Sequence, residues 1–190
     1  MKIFEKLTLL FGAASVLAGC QQVPDYASAP SISLKEVTKT VQTQNNVPVD
    51  RIDFTLNFTD GDGDLGLNTS GPDTLAPFNY SNADTIINGQ PQPIINPNYH
   101  NWFTTFYIKQ NGEFVPYTFP QYGFSFNLRF PRLVADEKQG PIDGTMTYYI
   151  LAFHAFFPPN TEAKFDIQVQ DRALNRSNRI ETGVIILNEQ

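Results

Sequence analysis

Residues 52–58 run Ile-Asp-Phe-Thr-Leu-Asn-Phe, apolar at every second position, and this alternation constrains the fold more than any other feature of the chain. Two further stretches repeat it. Phe124, Phe126, Leu128 and Phe130 alternate with Ser125, Asn127 and Arg129, and Phe165, Ile167 and Val169 alternate with Asp166, Gln168 and Gln170. In an extended chain successive side chains point to opposite faces, so a period of two makes one apolar face and one polar face. Such strands build antiparallel sheets, buried on one side and wet on the other. The 16 Phe and 8 Tyr, against 2 Met, lean the same way, because aromatic side chains suit a pleated surface.

The remaining apolar runs complete a strand list. Residues 32–41 predict a first strand. Residues 102–109 and 113–119 flank Asn111-Gly112, a hairpin turn signal, and Pro116 restricts the second of these runs to a sheet edge. Residues 145–153 are apolar on both faces and predict a central strand, and 180–187 closes the chain. Seven to eight strands joined by Pro, Gly and Asn predict an all-β fold, an antiparallel β-sandwich of immunoglobulin or fibronectin III kind, over residues 31–190. Between 68 and 101 lies one long loop rich in Asn, Pro, Gly and Thr, with a brief pairing at 85–87. Loops of this length are uncommon in compact domains and tend to be functional or disordered.

The start of the chain explains its single cysteine. Lys2 and Lys6 precede a short apolar stretch over 7–18, which runs into Leu17-Ala18-Gly19-Cys20. The pattern resembles the lipobox of bacterial lipoproteins. It predicts a signal peptide over 1–19, acylation (diacylglycerol and palmitate) at Cys20, and a polar tether over 20–30. Gln21 follows the cysteine, which favours the outer membrane or cell surface. No second thiol exists for a disulfide, so stability has to come from a packed core. A net charge of -6 and a pI near 4.8 exclude nucleic acid as a partner, since phosphate backbones need a basic footprint.

Asp60-Gly61-Asp62-Gly63-Asp64-Leu65-Gly66 follows directly on the 52–58 run. Carboxylates so close repel unless they stay solvated or a cation sits among them, and Ca²⁺ accepts six to eight oxygens in flexible geometry. The spacing of Asp60, Asp62 and Asp64 begins like an EF-hand loop. It departs at Leu65, where the loop needs Gly, and at Gly71, where it needs Glu. Further ligands would have to come from Asn68, Asp73, backbone carbonyls or another loop. The bland alternative is a solvated Asp/Gly turn. A second polar stretch, Asp171-Arg172-Ala173-Leu174-Asn175-Arg176-Ser177-Asn178, offers Asp171 or Asn175 as completing ligands, or else only an Asx-rich loop. Five apolar runs between 102 and 170 would put the two loops at opposite ends of the sandwich, unless the run containing Pro116 is not a separate strand. The predicted metal set is Asp60, Asp62, Asp64 and Asp171.

"FTDGDGDLG", "DRALNRSN" and the "LAGC" start together resemble a group of uncharacterised Bacteroidota lipoproteins with an immunoglobulin-like domain. The likeness covers the start, the second strand and the last two strands, and not the long middle. It implies a surface-attached sandwich with no established activity.

Catalytic signatures are missing. His100 and His154 are the only histidines, and no G-x-S-x-G, H-E-x-x-H or phosphate-binding glycine loop occurs. The expectation is a non-enzymatic, membrane-anchored binding or adhesion module for an unidentified protein or glycan. The alternative is a carbohydrate-binding accessory lipoprotein of a glycan-uptake system. It rests on Tyr80, Tyr99, Trp102, Tyr107, Tyr117 and Tyr122 gathering near the long loop, although most such rings are core, Trp102 first among them.

Overall fold

The computed structural model describes residues 24–87, 89–119, 125–135 and 140–190. The predicted signal peptide, Cys20, Tyr122 and Phe124 lie outside the described residues. Two antiparallel sheets face each other, as the alternation requires. One contains β1 (Ser31–Gln44), β2 (Val47–Asp60) and β7 (Ile142–Phe153) in the order β1-β2-β7. The other runs β10 (Ile185–Leu187), β8 (Thr161–Val169), β5 (Trp102–Gln110), β6 (Glu113–Pro116), with β9 (Ile180–Glu181) also paired to β8. β3 (Ser81–Ile87) and β4 (Gln90–Ile95) form a separate two-stranded ribbon.

The core is the sum of the apolar alternations. Ile52, Phe54 and Leu56 of β2 are fully buried, as are Phe165, Ile167 and Val169 of β8 and Trp102 of β5. Phe54 meets Phe165 edge-on at 5.3 Å and lies 6.3 Å from Trp102, so the two sheets interlock through aromatic rings. Full burial of one such side chain stabilises by about 1.5–3 kcal/mol. β1 turns into β2 through Asn45 and Asn46, both at positive φ (51° and 62°), the conformation of a tight hairpin.

Four expectations need correction or refinement. Among the described residues there are ten strands, because the long connection folds its own ribbon and the last strand is split into β9 and β10. At that split Thr182 closes the gap: its N–H donates to the Phe165 carbonyl at 2.9 Å, and its hydroxyl accepts from the Phe165 N–H at 3.1 Å. β7 is an edge strand, not a central one. Its outward apolarity has local causes: Tyr149 lies under the Arg51 guanidinium at 3.8 Å, and Leu151 and Phe153 line an apolar pocket.

The run with Pro116 is indeed an edge strand, and it is not an independent traverse. β6 pairs with the far end of β5, Pro116 opposite Tyr107, while Leu128 bridges Trp102 at the near end. β6 and Leu128 therefore line the same edge of β5 and count as one crossing of the sheet. With four traverses instead of five, the loop after β2 and the loop after β8 come to the same end.

Candidate metal centre

At that shared end, β2 delivers Asp60 and β8 delivers Asp171 on adjoining loops, and Leu65 and Asp171 pair as an isolated β-bridge that ties the loops together. One carboxylate oxygen from each of Asp60, Asp62, Asp64 and Asp171 lies within 4.8 Å of the other three. The structure thus gathers all four predicted ligands. Asp60 and Asp171 are buried at the base, and Asp62 and Asp64 stand partly exposed at the mouth.

Local geometry explains the glycines. Gly61 donates its N–H to the Ala27 carbonyl at 2.9 Å, and a Cβ there would strike the Tyr26 carbonyl. Gly63 holds φ at +72°, and a Cβ there would strike the Gly140 carbonyl. Any other residue at either position would push the loop off its neighbours.

The carboxylates are aimed by backbone donors. Asp60 Oδ2 accepts the Leu65 N–H at 3.0 Å, Asp64 Oδ1 accepts the Arg172 N–H at 3.3 Å, and Asp171 Oδ1 accepts the Asn175 N–H at 2.7 Å. The Asn175 amide also donates to Asp171 Oδ2 at 2.9 Å, so Asn175 orients the ligand set instead of joining it. Asp60 Oδ1 and Asp62 Oδ1 are buried and have no hydrogen-bond partner. A buried, unsatisfied carboxylate oxygen costs stability unless something positive meets it.

The electrostatics show the strain of four acids in one place. Burial pushes the Asp60 carboxyl up to about 7, and the Asp62 and Asp64 charges add to the rise. Burial likewise pushes Asp171 up to about 6 against the pull of its Asn175 hydrogen bonds. Asp64 is raised by burial and by Asp62, with the Arg172 and Ala173 N–H groups and the Arg132 charge pulling the other way. Two like charges 4 Å apart repel by roughly 4 kcal/mol at the dielectric typical of such sites.

Asp73 and Asn68 do not join the cluster. Asp73 pairs with Arg172 Nε at 3.0 Å and accepts the Asn68 N–H at 2.7 Å. A residue that sequence reasoning missed holds this region together. Arg129 donates to four backbone carbonyls, those of Asn68, Asp73, Phe78 and Tyr99, at 2.6–3.1 Å. It was legible only as the lone cation on the polar face of the 124–130 run. Asn178 is a second such residue: its amide mimics a strand, accepting the Ile32 N–H at 2.9 Å and donating to the Ile32 carbonyl at 2.8 Å.

The other singled-out residues lie elsewhere. His154 sits at the far end of the sandwich, with Nε2 3.1 Å from Asp50 Oδ1. His100 packs edge-on against Tyr99 at 5.0 Å. Among the aromatics, Trp102 is fully buried, Tyr117 packs edge-on to Phe106, Tyr107 donates its hydroxyl to Asp166, and Tyr80 meets Tyr99 at 88°. No flat stacking platform results among these described rings. No protein-family model, curated protein or solved structure matches the chain.

Proposed function

We propose that the chain is a lipid-anchored, non-catalytic binding or adhesion module, tethered to a bacterial outer membrane through Cys20, whose acidic cluster holds a structural Ca²⁺. One observation carries the metal reading: four carboxylates converge from two loops, with the buried oxygens of Asp60 and Asp62 lacking any protein donor. An all-oxygen set suits a hard cation and disfavours zinc or copper, which seek nitrogen and sulfur. Ca²⁺ is favoured over Mg²⁺ because the ligands are set by loop geometry and not by a regular octahedron.

Bound there, the ion would neutralise the cluster and clamp the 60–66 loop to the 171–178 loop. From Arg172 the link continues through Asp73 to the long connection, which Arg129 gathers. The likeness to Bacteroidota lipoproteins supports the anchor.

Calorimetry and thermal melting of the chain with Ca²⁺ or chelator test the metal reading. A melting point raised by Ca²⁺ in the wild type and unmoved in Asp62→Ala is expected. At a hundredfold excess over the dissociation constant the ion should add about 2.7 kcal/mol. Identical melting with Ca²⁺ and chelator, and no heat of binding, would reduce the cluster to a solvated turn.

A further inference from the structure

We propose that the outer edge of β3 is a docking edge for an extended segment of a partner polypeptide, which joins the β3–β4 ribbon as a third strand. This gives the proposed module its binding surface and rests on that reading. The ribbon stands apart from both sheets, each strand pairing only with the other. A lone two-stranded ribbon is marginal in water and gains from a further strand. Five of the ten large apolar side chains exposed among the described residues fall in this connection: Leu75, Tyr80, Ile86, Ile94 and Ile95. That concentration marks the connection, with Ile86, Ile94 and Ile95 on the ribbon itself, as the most apolar part of the described surface.

Proline decides which edge is open. Pro91 lies opposite Ile86 and Pro93 opposite Asp84. Antiparallel pairs alternate between those that exchange hydrogen bonds and those that do not, and proline has no N–H to exchange. Both pairs are therefore of the non-bonded kind, and the ladder runs through Thr85 with Gln92 and Ile87 with Gln90. Pro91 and Pro93 thus remove the donors from the outer edge of β4 at both of their positions, a recurrent way of closing an edge. On β3 the N–H and carbonyl of Asp84 and Ile86 point outward, unused. One edge is closed and the other is left open.

The chemistry of the occupant follows. Ile86, Pro91, Pro93 and Ile95 lie on one face of the ribbon together with Asp84. An added strand would place an apolar residue beside Ile86 and, two residues away, a lysine or arginine beside Asp84. A second copy of this chain fits less well. β3 holds no lysine or arginine, so pairing it with itself about a two-fold axis leaves Asp84 without a cation in every register.

The test uses the full chain and a synthetic peptide of about ten residues, alternating valine and threonine with one central lysine. The same peptide, N-methylated at alternate backbone nitrogens, is the comparison. The unmethylated peptide is expected to bind and to slow hydrogen exchange at the Asp84 and Ile86 amides. Ile86→Pro removes one outward N–H and no ladder bond, and should weaken binding by at least about tenfold. Asp84→Lys should transfer the preference to a peptide with glutamate in place of lysine. Equal binding of the methylated peptide, no binding of either, or no protection at Asp84 and Ile86 would overturn the proposal. Self-association in sedimentation that Ile86→Pro abolishes would also overturn it, by giving the edge to a second copy. Ca²⁺-dependent melting and membrane retention, followed in parallel, separate the two readings: if they persist without peptide binding, only the docking edge fails.

Discussion

Asp50 Oδ1 faces His154 Nε2 at 3.1 Å, and Asp50 is completely buried. Its other oxygen accepts the Asn188 N–H at 2.7 Å, and Lys39 Nζ stands 3.9 Å away. This one carboxylate joins β2, the end of β7 and the C-terminal strand. Removing it leaves the buried Asn188 N–H without its acceptor and takes away the carboxylate that His154 Nε2 and Lys39 Nζ face. Asp50→Ala should therefore cost about 1–3 kcal/mol in denaturant unfolding, the penalty for leaving a buried donor unsatisfied. Asp60 lies ten residues further along the same strand, about 33 Å away at the usual rise. The Ca²⁺-induced rise in melting should accordingly survive in Asp50→Ala.

The acidic cluster predicts an unusual pH dependence. The Asp60 carboxyl is raised from 3.8 to about 7, so between these values the folded chain holds a proton that the unfolded chain has released. Its stabilising contribution is complete below the unfolded value and is lost as the pH rises through the folded one. Asp171, raised to about 6, works in the same direction. In chelator, unfolding free energy should fall on the order of 3 kcal/mol between acid and neutral pH relative to Asp60→Asn, which cannot ionise there. Ca²⁺ should reverse the loss at neutral pH and release protons as it binds. Urea titrations at several pH values, with and without Ca²⁺, measure both effects.

The sandwich was legible because burial writes itself into alternation: Ile52 to Phe58 and Phe165 to Val169 occupy the core positions that their period demands. The errors arose where one pattern has two causes. Leu151 and Phe153 read as a second buried face, yet they line a pocket on an edge strand. Phe124 to Phe130 read as a strand of their own, yet Leu128 lines the same edge of β5 as β6 does. That distinction is made by pairing across the sheet, Leu128 with Trp102, which no local window contains. Asp60, Asp62 and Asp64 announced themselves by spacing. Asp171 was reachable only by topology. Arg129 and Asn178 act through backbone carbonyls far along the chain, so their roles leave no local mark.

The anchor makes a separate prediction. Cys20 is the only thiol in the chain and follows Leu17-Ala18-Gly19. Cys20→Ala should move the protein from the membrane to the soluble fraction while leaving its Ca²⁺-dependent melting unchanged. Retention of the variant in washed membranes would show that acylation at this residue is not what holds the protein there. Protease shaving of intact cells then reports which face of the membrane displays the domain.

Whether the ion spans both loops can be read by comparing two aspartates beside Arg172, its chain neighbour Asp171 and its ion-pair partner Asp73. Asp171 supplies an oxygen to the cluster, and Asp73 instead pairs with the side chain of Arg172 at 3.0 Å. Both are buried, so both substitutions remove a buried carboxylate and lower stability. They should differ in linkage to Ca²⁺. Asp171→Asn removes one of four charges from the site and weakens ion binding, so the melting shift should shrink or vanish at fixed Ca²⁺. Asp73→Asn removes the carboxylate charge that Arg172 Nε faces and loosens the long connection, with the four ligand carboxylates left in place. Its baseline melting point should fall while most of the Ca²⁺ shift survives. A full shift in Asp171→Asn would confine the ion to Asp60, Asp62 and Asp64, and the clamp between the two loops would then rest on the Leu65–Asp171 bridge and the Arg172 N–H bond to Asp64.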